Sequence, residues 1–192
     1  MPIIYEKLLN YPIPEMRQHL RWQDVAMYNF SVGLGQDPMD EQQLDFLYEP
    51  RLKVMPSMPV VLGAPGFWSR NPDTGMDWVK IVHGEQGLIL HKPLPTEGEI
   101  IGRSRVTGLV DRGEGKGALM YSERQVIDAK TGDLLATLTS TSFLRGDGGF
   151  GGPSGPVKQP HPEPDRAPDI TLDLATRPEQ ALIYRLNTDL NP

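Results

Sequence analysis

"GALMYSERQVIDAKTGDLLATLTSTSFLRG", residues 117–146, decides the fold. Both halves carry β-branched and aromatic residues, and Lys130-Thr131-Gly132-Asp133 between them is a turn signal. Two long strands of a hairpin are the natural reading. Just upstream, "GEIIGRSRVTGLVDRG" (98–113) sets Ile101, Arg103, Arg105 and Thr107 on one face of another strand. "KIVHGEQGLILHK" (80–92) is β-branched too, with a turn expected at His83-Gly84. Four or five long strands joined by tight turns predict an antiparallel sheet.

Outward from the sheet, the pattern changes. "LRWQDVAMYNFSVGL" (20–34) has Val25, Tyr28 and Val32 at i, i+3 and i+7, so a helix is expected, closed by Gly33 and Gly35. A polar, acidic stretch with a short apolar "FLYE" follows. "MPSMPVVLGAPGFW" (55–68) is apolar, but its prolines and glycines exclude a long regular helix. A helix ahead of the strands and little after them gives an α+β fold, with the helix packed on the sheet. Residues 146–170 are dense in Gly and Pro and read as an extended linker between residues 1–145 and 171–192. In the last segment, Thr176 to Glu179 fit a capping box that starts another helix.

Composition excludes several functions. The net charge of −6 leaves no basic face for nucleic acid. Cysteine is absent, which removes disulfides, zinc-thiolate sites and thiol nucleophiles. The N-terminus lacks the basic and apolar regions of a signal peptide, and no apolar run is long enough to span a bilayer. A cytoplasmic protein that does not enter membranes is expected. Hydrophobic residues make up 38% of the chain, enough for a core.

The segment after the linker echoes the first helix. Placing 21–36 over 177–192 matches Arg21 with Arg177, Tyr28 with Tyr184, and apolar positions between and beyond. Unrelated amphipathic helices can match this well by chance. If the echo is genuine, a second copy of the domain begins here, with Asp189 where the first copy has Gly33.

Three blocks then carry a resemblance that covers essentially the whole chain. "VHGEQGLILHKPLPTEGEI" (82–100), "GDGGFGG" (146–152) and "RPEQALIYRLNTDLNP" (177–192) are similar, in that order, to blocks of the MaoC-like hydratases, specifically the type 2 (R)-specific enoyl-CoA hydratases. The resemblance implies a double hot dog, in which each half is an antiparallel sheet wrapped around a helix. It implies that residues 1–145 are the N-terminal hot-dog domain, which accommodates the acyl chain, with its central helix shortened at 55–68. It implies that Asp189 is the catalytic aspartate and Asn191 its neighbouring asparagine, with the catalytic histidine two positions beyond Pro192. Thr188 replaces the glycine usual in that motif.

The implied reaction is hydration of a trans-2-enoyl-CoA to the (R)-3-hydroxyacyl-CoA, and its reverse. A residue pair holding one water can manage both proton transfers, and backbone N–H groups at a helix N-terminus can stabilise the enolate oxygen. No metal or redox cofactor is needed, and CoA belongs to the substrate. Implied partners are an acyl-CoA thioester and a second hot-dog half or homologous subunit, so a dimer is expected. The other reading is a non-catalytic acyl-CoA-binding subunit that pairs with a separate hydratase chain. A hot-dog thioesterase fits less well, for want of a nucleophile or base.

Other candidates have plainer explanations. His83 is the candidate substrate contact, although a histidine at the end of a strand is usually structural. Glu85 and His91 are weaker. Arg103, Arg105, Arg112 and Lys116 read as a solvated sheet face before a CoA-phosphate site. The glycines of 146–152 lack the lysine and the strand–loop–helix setting of a phosphate loop, and read as a tight chain crossing anchored by Phe150.

Overall fold

The computed structural model describes residues 2–159 and 162–187. The expected hairpin is formed by β4 (Ala118–Asp128) and β5 (Leu134–Leu144). Its turn is held by Asp128, whose Oδ1 accepts from the Lys130 N–H at 2.7 Å and the Thr131 N–H at 3.2 Å. Gly132 supplies the left-handed φ of 75° that the turn requires. With β1 (Met16–Leu20), β2 (Ile81–Leu90) and β3 (Gly98–Asp111), they build a five-stranded antiparallel sheet of order β1-β3-β4-β5-β2.

Two local expectations change. The chain does not turn at His83-Gly84: β2 runs straight through, with a bulge between His83 and Glu85. An extra residue in one strand bends it without reversing it. Ahead of the expected helix stands β1, whose sequence "MRQHL" has too little alternation to reveal an edge strand.

The helix itself, α2 (Trp22–Ser31), is shorter than expected. Asp24 closes its start, accepting from the Arg21 N–H at 3.0 Å and from its guanidinium at 2.7 Å. Val25 and Tyr28 are buried, but Val32 lies past the helix end and is 38% exposed, because Gly33 there takes φ 104° and turns the chain away.

A ten-residue helix spans about 15 Å, whereas the eleven residues of β4 span roughly 36 Å. One helix therefore cannot cover the inner face of the sheet. Two apolar clusters share that face. Leu20, Val25, Tyr28, Met58 and Leu62 pack with Ile100, Val126 and Ala136 at one end. At the other, Ile3 and Leu8 from the region of α1 (Tyr5–Leu9) pack with Val106, Leu109, Met120 and Leu144.

Between them an overhang closes over the sheet. It consists of short 3-10 turns at Met58–Val61 and Trp68–Arg70, so the Pro-broken stretch forms no long helix, as expected. Buried Asn29 of α2 sets its approach. Its amide donates to the Phe46 and Lys53 carbonyls at 2.7 and 2.8 Å, and its oxygen accepts from the Met55 N–H at 3.2 Å. α3 (Glu41–Leu44), capped by Asp40, lies on the same excursion.

Among the described residues, no helix or strand lies between Leu144 and α4 (Gln180–Arg185). The second helix starts later than the capping box predicted: Glu179 occupies the N-cap without a side-chain cap bond, and Arg177 instead accepts the Gln180 N–H in a preceding turn. Pro178 has no N–H to contribute to a first turn.

The glycine-rich crossing at 146–152 is fastened to the buried Asp111 at the end of β3. Asp111 accepts from the N–H groups of Gly113, Gly149 and Gly151 at 2.9, 2.7 and 2.8 Å. Phe150 packs against the second cluster, as expected. Burial works to raise the Asp111 pKa, but these donors outweigh it and hold the carboxyl below its ordinary value. A depressed pKa gives stability that is present above the ordinary carboxylate range and lost as pH falls through the folded value. We expect Asp111→Asn to cost about 2 kcal/mol near neutrality, the scale of buried donors left unpaired. The difference from wild type should shrink below about pH 4 in thermal melts across pH. A gap that persists unchanged into acid would contradict this.

Candidate functional site

A cavity of about 370 Å³ lies between the overhang and the sheet. Its floor follows from strand parity. On β4, Met120, Ser122, Arg124 and Val126 point inward, paired with Ser142, Ser140, Leu138 and Ala136 of β5. The two ends of this face are apolar and its waist is polar. Ser122 and Ser140 share a 2.8 Å hydroxyl hydrogen bond, with Ser104 and Gln86 on the flanking strands. The roof is Val60, Ala64, Phe67 and Trp68. Trp68 is stacked on Tyr11, with centroids 5.4 Å apart.

The roof is fixed at two points. Gly63 donates its N–H to Gln18 Oε1 of β1 at 2.8 Å and packs backbone to backbone against Gly102 of β3. Arg124 reaches up from the floor and donates through Nη2 to the Val60 carbonyl at 2.6 Å. Burial lowers the Arg124 pKa to about 10, so the guanidinium remains charged at neutral pH.

α4 supplies part of the wall through Tyr184. The helix is held on α2: Tyr184 and Tyr28 have ring centroids 6.2 Å apart, Asn187 donates to Ser31 Oγ at 2.7 Å, and Gln180 bonds the Ser31 carbonyl. Arg177 lies 5.5 Å over the Phe30 ring. The two tyrosines matched by the internal echo thus face each other.

Of the predicted site residues, Asp189 and Asn191 lie outside the described residues. His83 is exposed on β2, opposite Ser142 of the cavity wall but not itself in the wall. Glu85 accepts from the Thr141 hydroxyl at 2.8 Å, and His91 bonds the Thr137 hydroxyl at 2.9 Å. Arg103 and Arg105 pair with Glu15 and Glu123 at 2.8 and 3.0 Å on the outer face, the solvated face expected of them. Chain after the crossing runs across that face, where Lys158 meets the Tyr121 hydroxyl. Among the described residues, no group of three or more His, Asp or Glu side chains is placed to hold a metal ion. The polar waist and Arg124 escaped the sequence reading. Ser122 and Arg124 sit at inward positions of an alternating strand, which the register with β5 reveals.

An antiparallel sheet packed on a helix, with a cavity under a broken overhang, defines the hot-dog class in its MaoC-like form. The chain belongs to the MFE-2 hydratase 2 N-terminal domain family, whose model matches residues 19–146. It is 35% identical to 3-hydroxyacyl-thioester dehydratase Y of Mycobacterium tuberculosis, over 89% of this chain and 59% of that protein. It is 32% identical to the peroxisomal enoyl-CoA hydratase 2 of Arabidopsis thaliana, over 96% of this chain and 64% of that protein. The MaoC-like dehydratase structure from Phytophthora capsici superposes with a TM-score of 0.77 at 30% identity, covering 97% of this chain and 64% of that one. The chain thus spans 59% and 64% of the length of the two curated relatives named here.

The Gly63–Gly102 contact is the most sensitive part of the site, because a Cβ on Gly102 would overlap the Gly63 backbone. Overpacking of this kind costs about 1–3 kcal/mol. Gly102→Ala should therefore lower Tm by roughly 5 °C and raise hydrogen exchange across 58–70 more than in the β4–β5 hairpin. An unchanged Tm would contradict the close docking.

Proposed function

We propose that this chain is the acyl-accommodating part of a hydratase that adds water to a trans-2-enoyl-CoA, giving the (R)-3-hydroxyacyl-CoA, and catalyses the reverse dehydration. One observation carries the reading: Tyr184 of α4, five positions before Asp189, forms part of the wall of the cavity under the overhang. The segment that leads to the implied catalytic aspartate therefore departs from the acyl-sized space itself.

In this reading the acyl group lies between Phe67 and Trp68 above and the β4–β5 floor below. Water is deprotonated as its oxygen attacks the β-carbon, and a proton is delivered to the α-carbon. Asp189 is one member of the acid–base pair, and Asn191 supports it. By the resemblance, the partner histidine falls two positions after Pro192 in the family motif and the oxyanion donors in the second hot-dog half. A polypeptide of these residues alone is expected to bind the thioester without turning it over at an enzymatic rate. The reaction as drawn needs no metal or redox cofactor. A pairing hot-dog half, with two-fold or pseudo-two-fold packing, belongs to the same proposal, as does a cytoplasmic location. Among the described residues, no helix is long and apolar enough to cross a membrane.

Calorimetry with a short acyl-CoA should detect binding to the purified chain, while loss of enoyl absorbance stays near the uncatalysed rate. Where activity is restored by a second hot-dog half, Asp189→Asn should lower kcat by about 100-fold or more with little change in KM, the scale of a lost acid–base group. Failure to bind, or wild-type turnover by Asp189→Asn, would contradict the assignment.

A further inference from the structure

The cavity floor contains one group that packing alone does not explain. Arg124 stands at the polar waist, between Ser104 on β3 and Leu138 on β5. Among the described residues, its guanidinium hydrogen bonds come from Nη2 alone, to the Val60 carbonyl at 2.6 Å and the Pro59 carbonyl at 3.4 Å. Nε is shielded from solvent and has no partner among the described residues. No carboxylate among the described residues forms an ion pair with it. Glu123, its neighbour in sequence, reaches the cavity rim but commits its carboxylate to Arg105.

A guanidinium carries five N–H donors and matches a carboxylate in shape and charge. Leaving such a cation desolvated without a counter-charge is costly. An unsubstituted alkyl chain filling the cavity would displace its remaining water and deepen that cost. An anionic acceptor would remove it. Around the guanidinium, Ser104, Ser122 and Ser140 offer hydroxyl donors and acceptors that an alkyl chain cannot use.

We propose that the cavity selects an acyl group bearing a carboxylate on its distal end, held by Arg124 at the serine waist. This makes Arg124 a specificity residue for a dicarboxylyl thioester. The inference rests on the acyl-site reading above.

Titration of the purified 192-residue chain with glutaryl-CoA and with pentanoyl-CoA separates the two. Both share the CoA moiety, so the difference reports the acyl end. Glutaryl-CoA should bind at least 10-fold more tightly. Arg124→Met should abolish that preference, and Arg124→Lys should keep part of it. Should Arg124→Met fail to fold by circular dichroism, the wild-type comparison and the Lys variant still decide. Equal affinity, or preference for pentanoyl-CoA, overturns the inference and leaves the acyl site standing. A preference that survives in Arg124→Met overturns the role of Arg124. Binding of neither thioester overturns the acyl-site reading and the inference together.

Discussion

Strand length against helix length governs this structure. β4 runs roughly 36 Å and α2 about 15 Å, from eleven and ten residues respectively. A sheet face that long must be covered or lose the benefit of its apolar side chains. Here α2 covers one end and α1 the other, each over its own cluster of buried residues. The middle is left to an overhang that cannot be helical, because prolines and glycines interrupt it. A bridged gap with a polar floor is the consequence, and the cavity is that gap.

Two polar side chains, the buried Asn29 and the half-buried Arg124, show the difference between holding a fold and serving a site. Asn29 has three backbone partners at 2.7, 2.8 and 3.2 Å, and its bonds bring residues 46–55 onto α2. Arg124 has good geometry to one carbonyl and a weak contact to another, with Nε unpaired among the described residues. Buried polar groups are nearly always satisfied, and Arg124, which lines the cavity, has no carboxylate partner among the described residues. Asp111 falls with Asn29: its glycine N–H donors fasten the crossing at 146–152 to the end of β3.

Sequence made the sheet legible where local chemistry determines structure. Alternation in 98–111 and the Asp128–Asp133 turn are short-range signals, and β3, β4 and β5 formed as expected. Long-range features were hidden. β1 exists because an edge of β3 was open to it, not because "MRQHL" prefers a strand. Gly84 looked like a turn, yet Thr141 and Ser142 pair on either side of it and convert it into a bulge. The capping box at Thr176 was overridden, and α4 begins at Gln180 where it rests on Ser31. For the site, the resemblance named Asp189 and Asn191, which lie outside the described residues; Tyr184, five positions earlier, stands in the cavity wall. Arg124 was missed because a single arginine in a strand reads as an outward residue until the register of the neighbouring strands is known.

The central claim is that the space under the overhang holds the acyl group. The most direct measurement is photolabelling of the chain with an acyl-CoA that carries a diazirine near the end of its acyl group, followed by peptide mapping. The account predicts label in residues 60–69 and on the inward positions of β4 and β5, with competition by unlabelled acyl-CoA. Label confined to the outer face, around Arg105, Thr107 and Tyr121, would contradict it.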